Sequence, residues 1–274
     1  MRTSTFSIPQ AETQAVDMVV NGIDYSRQWG LVDVPRLTTQ PVTIVGAGSV
    51  GSFVALNMAK AGFHNITVID FDIVSPENIA NQFYPLSAIG KPKVDALQEL
   101  ILQFTGVEIN AFNTKFKAIP ITGLLIACTD NMAVRKEMYD AFCANVKDNS
   151  NDIQYPCMFI DARMGGKVYK IQAIPSYLHN TYTWHTDEAA ESTPCTEKTI
   201  IYNVLDIASK VVSIACQYVG GTQDDDDETP KEVVGDSAYF RTHVEYHESG
   251  LEEEEDEYES EDNDHDEDEE DEVD

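Results

Sequence analysis

The spacing of apolar residues changes twice between residues 41 and 72, and these changes predict the local structure. Residues 42–45 form a short apolar run, which is typical of a buried strand. After a glycine-rich turn, apolar residues recur every three or four positions, which predicts a helix that ends at Gly62. A second apolar run over residues 66–69 ends at Asp70. This segment is therefore predicted to fold as strand, turn, helix and strand.

Three further elements are predicted by the same reasoning. A helix is expected to open at Lys93, a strand to begin near Cys157, and an amphipathic helix to cover residues 200–219. Strands that alternate with helices are typical of α/β proteins. The chain is therefore predicted to have a Rossmann-like, doubly wound, mostly parallel sheet with helices on both faces.

The turn between the first strand and its helix reads GAGSVG and contains Gly46, Gly48 and Gly51. In this pattern the first glycine permits a tight turn, and the second lets the backbone approach a phosphate. The third lets the helix pack close to the strand. A helix N-terminus favours anions, and Asp70 is placed to accept hydrogen bonds from a ribose. The pattern predicts a nucleotide site, and the alternative is a turn that only connects two elements.

The charge divides the chain into two regions. The whole chain has a net charge of −30, but residues 224–274 contain 27 acidic residues against Lys231 and Arg241, a net −25. Repulsion at this density prevents a segment from burying enough apolar surface to fold. We expect an N-terminal segment over residues 1–23, a folded domain over 24–222 and a disordered acidic tail over 223–274.

Several classes of protein are excluded by composition. No apolar stretch approaches the roughly 18 residues of a membrane-spanning helix, and the start of the chain lacks a secretory signal. The five cysteines include no C-x-x-C pair, which argues against disulfides and against a zinc site. We therefore expect a cytoplasmic protein without zinc. A membrane is not an expected partner, because the chain has no such apolar stretch. Nucleic acid is not an expected direct partner, because binding its phosphates needs a basic surface, which this sequence does not indicate.

The segment that follows Asp70 distinguishes between nucleotides. NAD or FAD would be the usual ligand of such a unit and would make the protein an oxidoreductase. Residues 70–97 instead contain a second acid, Asp72, and the run GKPK at 90–93. A lysine here suits a site that cleaves a triphosphate, because it stabilises the negative charge that develops. The sequence therefore favours ATP chemistry over a redox reaction.

Residues 70–93 resemble the ThiF/MoeB/HesA family, whose adenylation domain is shared with ubiquitin-activating enzymes. The family pattern is D-x-D-x-V-x-x-x-N-L-x-R-Q followed by G-x-x-K, and this chain has DFDIVSPENIANQ followed by GKPK. The match continues with CTDN at 128–131 and Arg135, and upstream with YSRQ at 25–28. The resemblance covers about residues 24–220, with four motifs in the family's order.

The resemblance implies a function and a set of site residues. It implies an adenylyltransferase that uses ATP and Mg²⁺ to activate the C-terminal carboxylate of a ubiquitin-like or ThiS-like carrier protein, acting as a homodimer. Arg27 is implied to reach the phosphates of the partner subunit, and Asp130 to bind Mg²⁺. The nucleotide is implied to contact Gly46, Gly48, Gly51, Asp70, Asp72, Asn78, Gln82 and Lys93. The implied catalytic residues are Arg27, Lys93, Asp130 and Cys195.

One position departs from the family pattern. The arginine that the family has two residues after Ile79 is Asn81 here, and that arginine stabilises the transition state. Lys91, Arg135 or Arg163 are candidates to replace it, with Arg163 expected at the end of a later strand. The alternatives are a catalytically impaired ATP-binding scaffold and an adenylylating dehydratase or peptide-modifying enzyme. Asn78 also has an alternative role, because an asparagine can cap a turn.

Cys195 is the second chemical candidate. The run Pro194-Cys195-Thr196 precedes the predicted helix over 200–219 and resembles the setting of the catalytic cysteine in ubiquitin-activating enzymes. A helix N-terminus stabilises a thiolate, so Cys195 is expected to form a thioester or to take part in sulfur transfer. The alternative is an ordinary loop cysteine. The remaining cysteines are predicted to be packed thiols: Cys128, Cys143, Cys157 and Cys216.

The acidic tail has two interpretations. A solvating role is typical of such tails, because charge of one sign keeps a protein soluble. The alternative is that the tail mimics nucleic acid or docks a basic partner.

Overall fold

The computed structural model describes residues 18–118, 122–148, 154–165, 168–182, 199–221, 232–236 and 241–245. Within these ranges the chain forms an eight-stranded sheet and a separate two-stranded hairpin. The strands are β1 (Val19–Val20), β2 (Ile23–Asp24), β3 (Pro41–Val45), β4 (Asn65–Asp70), β5 (Asn110–Asn113), β6 (Leu124–Ala127), β7 (Met158–Gly165), β8 (Val168–Pro175), β9 (Glu232–Asp236) and β10 (Arg241–Glu245). The α-helices are α1 (Val34–Thr39), α2 (Ser49–Ala61), α3 (Lys93–Thr105), α4 (Met132–Asp148) and α5 (Ile201–Gly220).

The large sheet has the strand order β10-β9-β8-β7-β6-β3-β4-β5. The strands from β7 to β5 in this order are parallel, and Ile44 of β3 pairs with Val68 of β4 and Ile126 of β6. Strands β8, β9 and β10 add to the sheet antiparallel. Because parallel strands share one direction, their carboxyl ends meet at one edge, where α/β proteins bind ligands.

Helices cover both faces of the sheet, which confirms the predicted α/β architecture. One face packs against α2, α3 and α5, and the other packs against α4. The first core includes Ile44, Met58, Leu97, Ile126 and Ile207, and the second includes Leu125, Met138, Phe142 and Phe159.

The individual elements of the glycine-containing unit also match their predictions. The apolar runs 42–45 and 66–69 lie in β3 and β4, and α2 ends where Gly62 adopts the left-handed conformation (φ 118°). The N–H of Gly62 donates to the carbonyls of Met58 and Ala59, which closes the last turn. The predicted helices that open at Lys93 and span 200–219 are α3 and α5.

None of the helices in the described ranges is long and apolar enough to cross a membrane. The cytoplasmic location stays a prediction.

Ten residues of the acidic region form strands of the sheet. Strand β9 pairs antiparallel with β8, and β10 pairs with β9. The sheet thus continues beyond residue 222, where the sequence composition changes. The run 252–274 lies outside the described residues, and there disorder stays a prediction.

Two truncations test this division of the acidic region. A chain ending after residue 250 loses a run with 18 acidic residues, and its thermal midpoint should change by less than about 2 °C because this run is predicted to be disordered. A chain ending after residue 222 also loses β9 and β10 and leaves the backbone of β8 unpaired on one side, which should lower the midpoint by about 5 °C or more. Equal midpoints measured by circular dichroism would contradict the pairing of β8 with β9.

Candidate active site

The loop from β3 to α2 places the three predicted glycines in distinct environments. Gly46 has φ +99°, and a Cβ there would lie 2.7 Å from the carbonyl oxygen of Cys128. A Cβ on Gly51 would lie 1.8 Å from the carbonyl oxygen of Gly46, so α2 can approach the loop this closely only with glycine at that position. For Gly48, no described atom lies within 4 Å of the Cβ position. The first and third glycines thus allow close packing, and the second leaves room for a ligand.

The start of α2 is suited to an anion. Gly48 is the N-cap residue, and no side chain in the described ranges caps this helix. The N–H groups of the first turn have no acceptors within a helix. Together with the helix dipole, they favour negative charge.

Ala47, in the middle of this loop, is held through both of its backbone polar groups. Its N–H donates to Asp70 Oδ2 at 2.6 Å, and its carbonyl accepts from the Tyr84 hydroxyl at 2.7 Å. Burial raises the pKa of Tyr84, and the charges of Asp70 and Asp72 raise it further, so the phenol remains a donor. Asp70 Oδ1 also accepts from the Asp72 N–H at 2.8 Å. Asp70 therefore organises the loop from the end of β4, where a ribose was predicted.

Lys93 lies close to these acids because the chain doubles back. The Lys93 N–H donates to the Asp72 carbonyl at 2.9 Å, and Lys91 accepts from Val74 at the same distance. Lys93 Nζ lies 2.9 Å from Asp72 Oδ2, and the Lys93 side chain is only 8% exposed while that of Asp72 is 50% exposed. A phosphate that binds Lys93 would compete with an accessible carboxylate for a cation that is already in position.

The loop over residues 78–82 contains two further predicted nucleotide contacts. Asn78 Oδ1 accepts from the Ser75 N–H at 3.0 Å and caps the short 3₁₀ helix Pro76–Asn78, which is its alternative role. The side-chain oxygens of Asn81 and Gln82 are buried without a hydrogen-bond partner in the described part of the chain. An amide oxygen accepts hydrogen bonds or binds a cation, so these two oxygens are not the groups that would bind a phosphate. A contact between Gln82 and a phosphate would be made by the N–H groups of the side-chain amide.

The loop from β6 to α4 is held from both sides. Asn131 Oδ1 accepts from the Val134 N–H at 3.1 Å and starts α4. Arg135, one turn later, donates to the Ala127 carbonyl at 3.1 Å. The loop that contains Asp130 is therefore fixed at both ends, by the Ala127 carbonyl at the end of β6 and by the cap at the start of α4.

Asp130 is exposed in this loop and follows Cys128, whose backbone lies against Gly46, by two positions. Mg²⁺ commonly binds through one or two carboxylates, with phosphate oxygens and waters as its other ligands. A single accessible carboxylate therefore fits Mg²⁺ that arrives with ATP. In the described ranges, no group of three or more His, Cys, Asp or Glu side chains could hold a metal ion.

A buried ionic cluster lies at the same edge of the sheet. Asp161 of β7, whose side chain is fully buried, accepts from Arg135, from Arg163 Nε at 2.6 Å and from the Tyr182 hydroxyl. Both guanidinium groups proposed as replacements for the family arginine are thus engaged with Asp161. The third candidate, Lys91, is half exposed and lies 2.6 Å from a glutamate carboxylate of α3.

Arg27 lies far from the glycine loop of its own chain. Next to it, Gln28 Nε2 donates to the carbonyl of Ala61, the last residue of α2, at 2.9 Å. Because α2 has 13 residues, its ends are about 20 Å apart. The exposed Arg27 is therefore close to the C-terminal end of α2, and the glycine loop is at the N-terminal end.

The four described cysteines have the packed environment that was predicted for them. Burial raises the pKa of Cys128 to about 12 and that of Cys216 to about 11, and it raises those of Cys143 and Cys157 as well. A nucleophilic thiol requires the opposite shift. Cys195 lies outside the described residues, and its role stays a prediction.

Together, the glycine loop, Asp70, Lys93 and Asp130 lie at the carboxyl edge of a parallel sheet, where proteins with a Rossmann-type fold bind their ligands. The model of the ThiF family matches residues 14–230. The chain belongs to the ThiF family.

Two curated relatives and one solved structure illustrate the similarity. The molybdopterin-synthase adenylyltransferase of Escherichia coli K12 is 29% identical over 129 residues, which are 44% of this chain and 49% of that protein. The sulfur carrier protein ThiS adenylyltransferase of the same organism is 29% identical over 133 residues, 44% of this chain and 53% of that protein. The chain thus spans about half the length of these relatives. The structure of E. coli MccB with ATP has a TM-score of 0.59 at 13% identity, over 78% of this chain and 65% of that chain, and shares the fold.

Alanine at two of the glycines should separate packing from ligand space. Gly51→Ala places its methyl group against the Gly46 carbonyl, and the strain should lower the free energy of unfolding by about 3 kcal/mol or more. The methyl group of Gly48→Ala points into open space. This variant should lower the free energy of unfolding by at most about 1 kcal/mol, the usual size of a change at an N-cap. Urea denaturation measures both values, and a Gly51→Ala variant as stable as Gly48→Ala would contradict the close approach of α2.

Proposed function

We propose that the chain is an adenylyltransferase that uses Mg²⁺-ATP to activate the C-terminal carboxylate of a ubiquitin-like or sulfur-carrier protein. The observation that carries the proposal is the grouping, at one edge of the sheet, of Lys93, Asp130 and a helix start that no side chain in the described ranges caps. A redox cofactor needs neither the lysine nor the carboxylate there. The names of the two curated relatives, one of which acts on the carrier ThiS, support this reaction class.

Each group has a defined role in this reaction. The first-turn N–H groups of α2 and Lys93 bind the phosphates, and Asp70 accepts from the ribose. Asp130 would hold Mg²⁺, and the ion would supply neutralisation of the negative charge on the phosphate oxygens. The carrier carboxylate attacks the α-phosphorus, the bond to the bridging oxygen breaks, and pyrophosphate leaves with that electron pair. Lys93 stabilises the charge on the leaving group, and the product is an acyl-adenylate.

Cys195 acts after adenylation in this proposal. Its thiolate attacks the acyl carbon of the adenylate, AMP leaves, and a thioester forms. Participation of the same thiol in sulfur transfer is the other outcome. The packed state of the four described cysteines supports Cys195, because burial raises the pKa of each of them.

Arg27 completes the site of the partner subunit in a homodimer. Its place near the C-terminal end of α2 supports this role, because it is remote from the phosphate end of its own helix. Asn81 adds to the argument, since the site has no arginine at that position.

The acidic tail docks a basic partner of this enzyme. A net charge of −25 over residues 224–274 attracts cationic proteins, and the range of this attraction decreases as the salt concentration rises. We place the reaction in the cytoplasm, where ATP and reduced thiols are both available.

Pyrophosphate exchange into ATP tests the adenylation step. A panel of small carriers ending in Gly-Gly is compared with the same carriers lacking the last glycine. Exchange should require the intact terminus, fall at least about 100-fold in Asp130→Ala because the metal ligand is lost, and persist in Cys195→Ala. Binding of ATP without exchange for any carrier would favour an ATP-binding scaffold, and co-purified NAD would contradict the proposal entirely.

Mixing two inactive variants tests the role of Arg27. Arg27→Ala and Asp130→Ala should each be inactive, but a mixed dimer has one site with both residues intact. Random reassortment would then restore about a quarter of the wild-type pyrophosphate exchange, because half of the dimers are mixed and each has one working site. Light scattering verifies that the mixture contains dimers. If these dimers show no pyrophosphate exchange, Arg27 acts in the site of its own subunit or has no part in catalysis.

A further inference from the structure

Phe71 directly follows Asp70 and presents its ring at the surface. It is 57% exposed, and Lys115 Nζ lies 5.1 Å from the ring centroid. Single exposed apolar side chains are common on protein surfaces and need no explanation. The position of this ring in the fold, rather than its exposure, indicates a role.

The backbone on both sides of Phe71 is held in place. The Asp70 carboxylate accepts from the N–H groups of Ala47 and Asp72, at 2.6 and 2.8 Å. The Asp72 carbonyl accepts from the Lys93 N–H at 2.9 Å. A ligand that contacts the ring therefore does not have to order this backbone, which lowers the entropic cost of binding.

The direction of a bound nucleotide leads towards this ring. Phosphates at the start of α2 lie beyond the end of β3, and a ribose at Asp70 lies beyond the end of the neighbouring strand β4. A base attached to that ribose continues away from α2, past the end of β4 towards β5. Asp70 pairs with Asn113, the last residue of β5, and Lys115 follows two positions later. Phe71 and Lys115 thus border the space into which a base on this path would project.

We propose that Phe71 is the stacking platform for the nucleobase of ATP, a proposal that rests on the proposed function. Lys115 contacts the ring through its ammonium group, as expected for a cation near the face of an aromatic ring, and more than half of the Phe71 surface remains for the base. Every base has a π-face, so an aromatic platform adds affinity without selecting one base. Phe71 is therefore a residue for nucleotide affinity, while the phosphate contacts lie elsewhere.

Calorimetric titration of the full chain with Mg²⁺-ATP and with Mg²⁺-tripolyphosphate tests the platform. Tripolyphosphate carries the phosphates without ribose or base. Phe71→Ala should weaken ATP binding about 10-fold, the size of a lost base–aromatic stack, and leave tripolyphosphate binding unchanged. Phe71→Tyr keeps the ring and should restore ATP affinity to within about 2-fold.

Phe104→Ala is a matched control. Phe104 is 55% exposed, and Lys60 Nζ lies 5.8 Å from its ring centroid, but it belongs to the last turn of α3, at the end opposite Lys93. This variant should bind both ligands as the wild type does.

The outcomes separate this inference from the proposed function. A wild-type chain that fails to bind ATP would overturn both. Wild-type ATP binding that Phe71→Ala leaves unchanged would overturn the platform alone. Equal weakening of ATP and tripolyphosphate would also overturn it, because the effect would then come from the phosphate contacts.

Discussion

The close approach of α2 to the loop that precedes it is the constraint on which the candidate site depends. A Cβ on Gly51 would lie 1.8 Å from the Gly46 carbonyl oxygen, so this approach requires glycine. The approach directs the first-turn N–H groups of α2 towards the edge of the sheet. Asp70 and Tyr84 then fix Ala47 between the two glycines, through its N–H and its carbonyl. The loop and the start of α2 are thus held in place by contacts within the chain itself.

Buried ion pairs around Asp161 hold the second part of the candidate site, the loop from β6 to α4. Two arginines and a tyrosine surround a fully buried carboxylate. Removal of one member of such a cluster commonly costs about 3–5 kcal/mol, because a charge remains buried without compensation. Since Arg135 also binds the Ala127 carbonyl, the cluster holds the loop that carries Asp130. The guanidinium groups of Arg135 and Arg163 are therefore engaged with Asp161.

Local patterns were sufficient to predict the central unit, but not the contacts between distant segments. The glycine spacing, the stop at Gly62 and the acid at Asp70 lie within one short stretch, and each corresponds to the element that the structure contains. Tyr84 was not predicted, because its hydroxyl meets Ala47 only after the chain folds back over 37 residues. The pairing of Lys93 with Asp72 has the same origin, since it follows from the doubling back of the chain.

The sequence by itself determined the α/β class, the family motifs and the chemical types present at the carboxyl edge. These properties follow from periodicity and from residue types at short spacing, which act locally. Only the tertiary structure decided that Arg135 and Arg163 are enclosed around Asp161, that Arg27 lies at the far end of α2, and that β9 and β10 extend the sheet. Each of these outcomes depends on which distant segments become neighbours. In the acidic region, the composition indicated only repulsion between like charges and predicted disorder. The pairing of β9 with β8 became evident only from the structure.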